Sequence, residues 1–472
     1  MFSRICLTAA ATLMASTPAP AQERTAHEQM AREIYAKVIS FRTAKGHEQV
    51  LAMVAYLVSQ LKAAGFSDAD IQVTDYDSNG EHTQGLMVFY RAEGEPADKP
   101  IVLLAHMDVV DALPEDWERA PFTLTEEDGY FFGRGASDNK YGITNLTATF
   151  IRLKEEGWVP ARDLVLVFSG DEETGMISTR AQAEFVAENI KPEFVLNSDA
   201  GGGVLAADGA PLFYAVQGAE KTYATFELTI ANPGGHSSRP RADNAIYELA
   251  DALKKIEAHK FPVRHTELTR AYFAAAGAVT PGELGEAMRE FSENPEKKKA
   301  IKILRSDPET VGTTGTTCIA TMLRAGHAEN ALPQSATATV NCRIFPGVGA
   351  AATEATLKEI VDNDAVQFAL ITDVTESPES QLRPDVLKAT EASLAARGVD
   401  APIVPYMESG GTDGMHYRTK GYDTVAISGA WSKPSDMFAH GLNERLAVEE
   451  FYAGLDHWRV ILKDLAGASS ED

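Results

Sequence analysis

The sequence predicts an α/β protein, a mostly parallel sheet with helices on both faces, carrying a smaller α+β domain inserted into it. Three observations predict this fold. Short apolar runs rich in β-branched residues, such as LVLVFS at 164–169 and FVLNS at 194–198, alternate with segments of helical apolar spacing. Near residue 218 that pattern gives way to half-exposed alternation and polar helices, and from about 382 it resumes. At 472 residues the chain is also too long for one ordinary core.

The elements follow in order. Residues 27–66 place apolar side chains at helical spacing in AHEQMAREIYAKVI and EQVLAMVAYLVSQLKAAG, and the second segment stops at Gly65, as helices tend to. Strand-like runs lie around 71–75, 86–91 and 100–105, with helical patterns at 141–155 and 178–190. From 222, TYATFELTIAN alternates like a half-exposed strand, PGGHSSRP leads into a helix over 242–258, and 259–312 reads as polar helix without a strand. Two strands (316–323, 335–345), a helix at ATLKEIVDN and the strand VQFALIT complete a strand–helix–strand–strand–helix–strand unit. The expected organisation is therefore a main domain in two parts, 22–217 and 382–472, around an inserted domain at 218–381.

MFSRICLTAAATLMASTPAPAQ sets Arg4 before a short apolar run and an A-x-A site at Ala19-Pro20-Ala21. That is the pattern of a secretory signal over 1–21, so the protein is expected in the periplasm or outside the cell. No run is long enough to span a bilayer. The net charge of -25 argues against nucleic acid or an anionic membrane surface as partner. Beyond the leader only Cys318 and Cys342 remain, in two strand-like runs joined by AGHAENALPQS. A bridge and two buried free thiols both stay open at this point, and two cysteines make no zinc site alone.

Acidic and imidazole groups collect where the predicted strands stop. His106 and Asp108 follow PIVLLA, Asp138 lies in the loop FFGRGASDNKYG, Asp171, Glu172 and Glu173 follow LVLVFSG, Asp199 follows FVLNS, and His440 sits in DMFAHGLNE. Open α/β sheets bind ligands at the carboxyl ends of their strands. Two histidines with several carboxylates form a nitrogen/oxygen set suited to zinc, cobalt or manganese. A short aspartate can bridge two ions, and of two adjacent glutamates one can ligate while the other takes a proton from water. Asp108 is placed to accept the other N–H of His106. Singly, each residue also has an ordinary use: Asp-Glu-Glu as a solvated turn, Asp138 as a helix cap, Asp199 as a turn residue.

Together, HMDVV with WERAPF, DGYFFGRGASDNK, SGDEETG, NSDAGGG and FAHGLNE resemble the metallopeptidase family of aminoacylase, carboxypeptidase G and carboxypeptidase S. GTTCIATMLRAGHAENALPQSATATVNCRIFPG and ESGGTDGMHY look most like the carboxypeptidase S branch and its N-acyl-amino-acid hydrolase relatives. The resemblance implies a di-zinc exopeptidase-type catalytic domain, with cobalt or manganese as substitutes, and an inserted lid that often dimerises. It implies that His106, Asp138 and Asp199 hold one ion and Asp138, Glu173 and His440 the other, with Glu172 as general base and Asp108 orienting His106. In the lid it implies that His236 stabilises the oxyanion, often across a dimer, and that Asn330 and Arg343, with Gly411 and Thr412 nearby, grip a free carboxylate. Asn139 stands where the family usually has aspartate, and 259–312 is expected to extend the lid. The resulting expectation is hydrolysis of an amide bond beside a free carboxylate in a peptide or N-acyl amino acid. A di-zinc aminopeptidase, or an inactive peptide- or metal-binding protein of the same fold, is the alternative.

Overall fold

The strand-like runs on either side of the insertion fall into one ten-stranded mixed sheet of the computed structural model, which describes residues 23–96 and 98–467. The leader expected at 1–21 lies outside the described residues. Along the sheet run Ile71–Ser78, Glu81–Tyr90, Leu164–Ser169, Ile101–His106, Phe194–Asn197, Thr424–Ala426, Pro211–Glu220, Gly202–Leu205 and Trp431–Ser432, with Ile403–Glu408 also paired to Pro211–Glu220. The centre is parallel: Ile101–His106 pairs in parallel with both Leu164–Ser169 and Phe194–Asn197, and Thr424–Ala426 extends the set. Towards the first edge the pairing is antiparallel, through a hairpin closed by Asn79 and Gly80, both at positive φ (55° and 87°). An Asn-Gly pair suits that turn because both central residues must take positive φ.

The central strands are buried on both faces, and their alternation sorts the core. Ile101, Leu103, Ala105, Leu164, Leu166 and Phe168 join one apolar cluster with helices Ala26–Ser40, Val50–Ala63, Lys140–Glu155 and Val448–Ala466. Val102, Leu104, Val165 and Val167 join another, with Ala183 and Tyr417 from the opposite helices. A period of two is what divides one continuous apolar run between two faces. Because the central strands are parallel, His106, Ser169 and Asn197 end together on one edge.

After Glu220 the chain enters a separate four-stranded sheet ordered Thr317–Ala325, Ser335–Ile344, Thr222–Ala231, Gln367–Leu370. Helices Ala245–Ala258 and Ala350–Val361 cover one face, burying Leu249, Ile256 and Leu357 against Phe226, Leu228 and Val340. Cys318 and Cys342 are directly opposite in the register of adjacent strands and are joined as a disulfide, which decides between the two alternatives left open by the sequence. The 259–312 segment is helical and without a strand, as its spacing predicts. Its helices Glu267–Val279, Gly282–Glu293 and Lys298–Leu304 share a small core of their own around Phe273, Met288 and Phe291. Helix Glu267–Val279 rests on Ile403–Glu408, and Leu268 packs with Ala219, Phe345 and Met407. The segment covers a side strand of the large sheet, one way of shielding strand surface from water.

Candidate metal centre

The polar cluster forms at the carboxyl edge of the parallel strands. His106, 1% exposed, ends its strand with Nε2 2.9 Å from Asp138 Oδ1 and 3.3 Å from Asp199 Oδ1. On the far side of Asp138, His440 Nε2 lies 3.1 Å from Oδ2 and 2.9 Å from Glu173 Oε1. Each imidazole therefore faces two carboxylates, and the two groups share Asp138, one oxygen to each. The ligand atoms of His106, Asp138 and Glu173 all lie within 4.8 Å of one another, the spacing of groups around a cation. Glu172, 8% exposed, lines the same cavity beside them.

Second-layer carboxylates fix this arrangement, and the sequence reading missed most of them. Asp108 was expected to hold His106 through its carboxylate, and here the structure differs. The nearest acceptor to His106 Nδ1 is the Asp108 main-chain carbonyl at 3.0 Å, with the carboxylate at 3.6 Å. That carboxylate is engaged elsewhere: it accepts from the amides of Glu172 and Glu173, both at 3.0 Å, and so shapes the loop bearing them. The same loop is anchored by Asp171, which accepts from Ser78 Oγ and the amides of Ile177 and Ser178, and by Asp413, which accepts from Ser169 Oγ and Thr179 Oγ1. Asp138 is held by Glu444, fully buried, whose carboxylate accepts from Arg134, Gly135, Ser137 and the amide of Asp138. Asn139, not Asp138, caps helix Lys140–Glu155 by accepting from Gly142 N at 3.1 Å, and its Nδ2 donates to Asp199 at 2.6 Å. Glu444 lies within the FAHGLNE motif, so the motif held the signal; Asp413 lies within SGGTDG.

Charge is the notable property of the cluster. Burial opposes a proton on His106, but Asp199, Asp108 and Asp138 outweigh it and hold its pKa well above the ordinary value. Hydrogen bonds to Asp138 and Glu173 raise His440 to about 10. Burial pushes Glu172 well above the usual carboxylate range and Asp199 up to about 6. Two imidazoles balance four carboxylates poorly in a cluster whose His106, Glu172 and Asp199 are withdrawn from water, and a bound cation relieves that imbalance. The oxygen/nitrogen donor set fits divalent zinc, cobalt or manganese.

A cavity of about 400 Å³ opens in front of the cluster. Gly410, Gly411 and Thr412 form one wall, and Tyr141, Trp431 and Leu446 give it an apolar side. Gly203 admits the Trp431 indole, since a Cβ there would fall 1.7 Å from the ring. Thr412 is buried, and its hydroxyl donates to Glu220 at 2.6 Å while accepting from Asn197, so it fixes the wall from behind. Arg343 lies beside the start of this wall: Nη1 donates to the carbonyl of Ser409, the residue before Gly410, at 2.8 Å, and the guanidinium lies 4.6 Å from the Tyr223 ring centre. Like Arg343, His236 and Asn330 are not among the residues lining the cavity. They neighbour each other on the exposed side of the lid, where Ser237 N donates to the Asn330 carbonyl and His236 Nδ1 accepts from Ser238.

Residues 102–464 match the family model described as peptidase family M20/M25/M40. The chain is 28% identical over 366 residues to the N-fatty-acyl-amino acid synthase/hydrolase PM20D1 of Xenopus tropicalis, covering 74% of this chain and 69% of that one. It is 26% identical over 383 residues to the probable carboxypeptidase S-like 2 of Dictyostelium discoideum, covering 78% and 72%. The crystal structure of the M20 family metallo-carboxypeptidase Sso-CP2 from Sulfolobus solfataricus superimposes with a TM-score of 0.69 at 19% identity, covering 92% of this chain and 98% of that one. That likeness extends the shared fold to the whole two-sheet architecture.

Proposed function

The chain belongs to peptidase family M20/M25/M40 and is a metallopeptidase-type hydrolase, and from that premise we propose that it uses two zinc ions to cleave an amide bond beside a free carboxylate. One observation carries this reading: two ligand groups share Asp138, with Glu172 beside them in a cavity. His106, Asp138 and Asp199 would hold one ion, and Asp138, Glu173 and His440 the other. Bound zinc would acidify a water between the groups and polarise the scissile carbonyl. Glu172 takes the proton of that water as it attacks, and then returns it to the leaving amine. Its raised pKa, set by burial, suits a group that must both accept and release a proton. Asp108 and Glu444 move no proton; they keep the loops of Glu172, Glu173 and Asp138 in place.

Arg343 is the proposed anchor for the substrate's carboxylate, because its guanidinium bonds the carbonyl of Ser409, next in sequence to the Gly410–Thr412 wall, and retains further donors. The apolar side of the cavity suits an acyl group or an apolar residue on the other side of the amide. We also propose a homodimer through the lid. Thr317–Ala325 is an edge strand with Ile319, Met322 and Leu323 50–65% exposed, and His236 with Asn330 would then serve a partner's cavity. Among the described residues no helix is long and apolar enough to cross a membrane. The leader pattern at 1–21 and the Cys318–Cys342 disulfide support export to an oxidising compartment.

The test is metal content and hydrolysis of N-acyl amino acids and dipeptides by the zinc-loaded parent, the chelator-stripped parent and Glu172→Gln. Turnover only by the loaded parent is expected, with two ions retained in Glu172→Gln and its kcat lowered about 10²–10⁴-fold. Cleavage of amino-terminal amides but not of acyl amino acids would favour the aminopeptidase reading. Two bound ions without any turnover would favour a binding protein.

A further inference from the structure

Lys221 joins the two sheets, following Pro211–Glu220 and preceding Thr222–Ala231. It is 3% exposed, and among the described residues no carboxylate pairs with its ammonium. Instead Nζ donates to the carbonyls of Gly312 (3.0 Å) and Gly315 (2.9 Å), with Thr317 Oγ1 at 3.4 Å. Burial without a counter-ion, and the neighbouring Arg343, lower its pKa to about 7. A buried amine held by two carbonyls and a hydroxyl, with no carboxylate, costs stability, and an apolar side chain would fill the space at less cost.

The surroundings supply a reason to keep it. Arg343 sits between two strands, opposite Thr317 on one side and Tyr223 on the other. The Lys221 ammonium ties down the segment that enters at Thr317. Its own chain continues into Tyr223, whose ring lies against the guanidinium. Its amide donates to the Glu408 carbonyl at 3.0 Å, and the next carbonyl, that of Ser409, is the one Arg343 binds. The partners of Arg343 named here, Thr317, Tyr223 and Ser409, thus each lie within two residues of Lys221 or of a group it bonds.

We propose that Lys221 is a positioning residue for carboxylate recognition: it holds the segments that set Arg343 against Ser409, at the start of the Gly410–Thr412 wall. This rests on the reading of Arg343 as the carboxylate anchor. The experiment compares the zinc-loaded parent, Lys221→Met, Lys221→Arg and Arg343→Ala. For each, it measures kcat and KM for an N-acyl amino acid and the Ki of the same compound's C-terminal amide as competitor. Arg343→Ala should raise KM for the acid about 100-fold and leave the amide's Ki unchanged. Lys221→Met should raise the same KM about tenfold at near-parental kcat, again sparing the amide, and Lys221→Arg should recover most of the loss. Should Lys221→Met fail to fold, Lys221→Gln carries the same comparison. If Arg343→Ala discriminates acid from amide but Lys221→Met does not, or weakens both alike, Lys221 is structural only and the inference is wrong. If Arg343→Ala does not discriminate, the anchor reading fails and the inference falls with it.

Discussion

Replacing Glu444 by glutamine tests how far the cluster depends on a residue that touches no proposed ligand atom. The carboxylate is fully buried and accepts on both oxygens: Oε2 from Arg134 Nη1 (2.8 Å) and Gly135 N (3.0 Å), Oε1 from Ser137 N (2.7 Å), Ser137 Oγ (2.9 Å) and Asp138 N (3.0 Å). Glutamine keeps the shape but turns one oxygen into a donor. Whichever way the amide is placed, at least two N–H or O–H groups then face another donor. Arg134, 3% exposed, also loses its anion. Removing one partner of a buried ion pair typically costs about 3–5 kcal/mol, more than the ~1 kcal/mol of an ordinary hydrogen bond, so the ion pair dominates the expectation. The assay is urea unfolding of the metal-free protein, since a bound ion would add its own stabilisation and mask the loss. The same variant should bind metal about 10–100-fold more weakly, because segment 134–138 presents Asp138. A metal-free stability within about 1 kcal/mol of the parent, with metal affinity unchanged, would refute the argument.

Four further outcomes are expected. Asp108→Asn leaves one acceptor for the two amides of Glu172 and Glu173, and should lower kcat about 10–100-fold while both ions stay bound. His457 is fully buried, and burial together with Arg397 lowers its pKa to about 3. The unfolded chain therefore takes up this proton first as pH falls. The stability owed to neutral His457 is complete above about pH 6.5 and is lost at up to ~1.4 kcal/mol per pH unit on the way to about pH 3, so His457→Gln should flatten the difference between urea midpoints at pH 7 and pH 5. The Cys318→Ser/Cys342→Ser pair opens a loop of sequence separation 24 and should cost roughly 3 kcal/mol, read as a lower unfolding midpoint. Leu323→Arg, on the exposed lid strand, should give a monomer by light scattering with the metal content of the parent; an unchanged dimer would remove the lid strand as the interface.

Much of this architecture was legible because it is written locally. Ile101–His106 and Leu164–Ser169 are unbroken apolar runs that stop at polar residues, and in a parallel sheet such stops align. What the sequence concealed is pairing between distant residues. Nothing near Asp108 announces that its carboxylate turns to the amides of Glu172 and Glu173, and nothing near Glu444 announces a partner 310 positions away. Asn139 illustrates a subtler limit: it read as a departure from a family aspartate, yet it caps a helix and donates to Asp199. Segment 259–312 has helical spacing whichever sheet it covers, so only tertiary packing could assign it to Ile403–Glu408.

The order of the cluster along the chain has a consequence for how the protein is made. His440 meets Glu173 across 267 residues, with the whole lid sheet synthesised between them. While the chain is still emerging, His106, Asp138, Glu173 and Asp199 are present without the last imidazole and without Glu444, the anchor of Asp138. Contacts this remote in sequence also form late, because a long loop must close before they reward it. A chain broken before His440 would thus lose the far imidazole and the Glu444 carboxylate that holds segment 134–138 in one cut, leaving both sides of Asp138 unset.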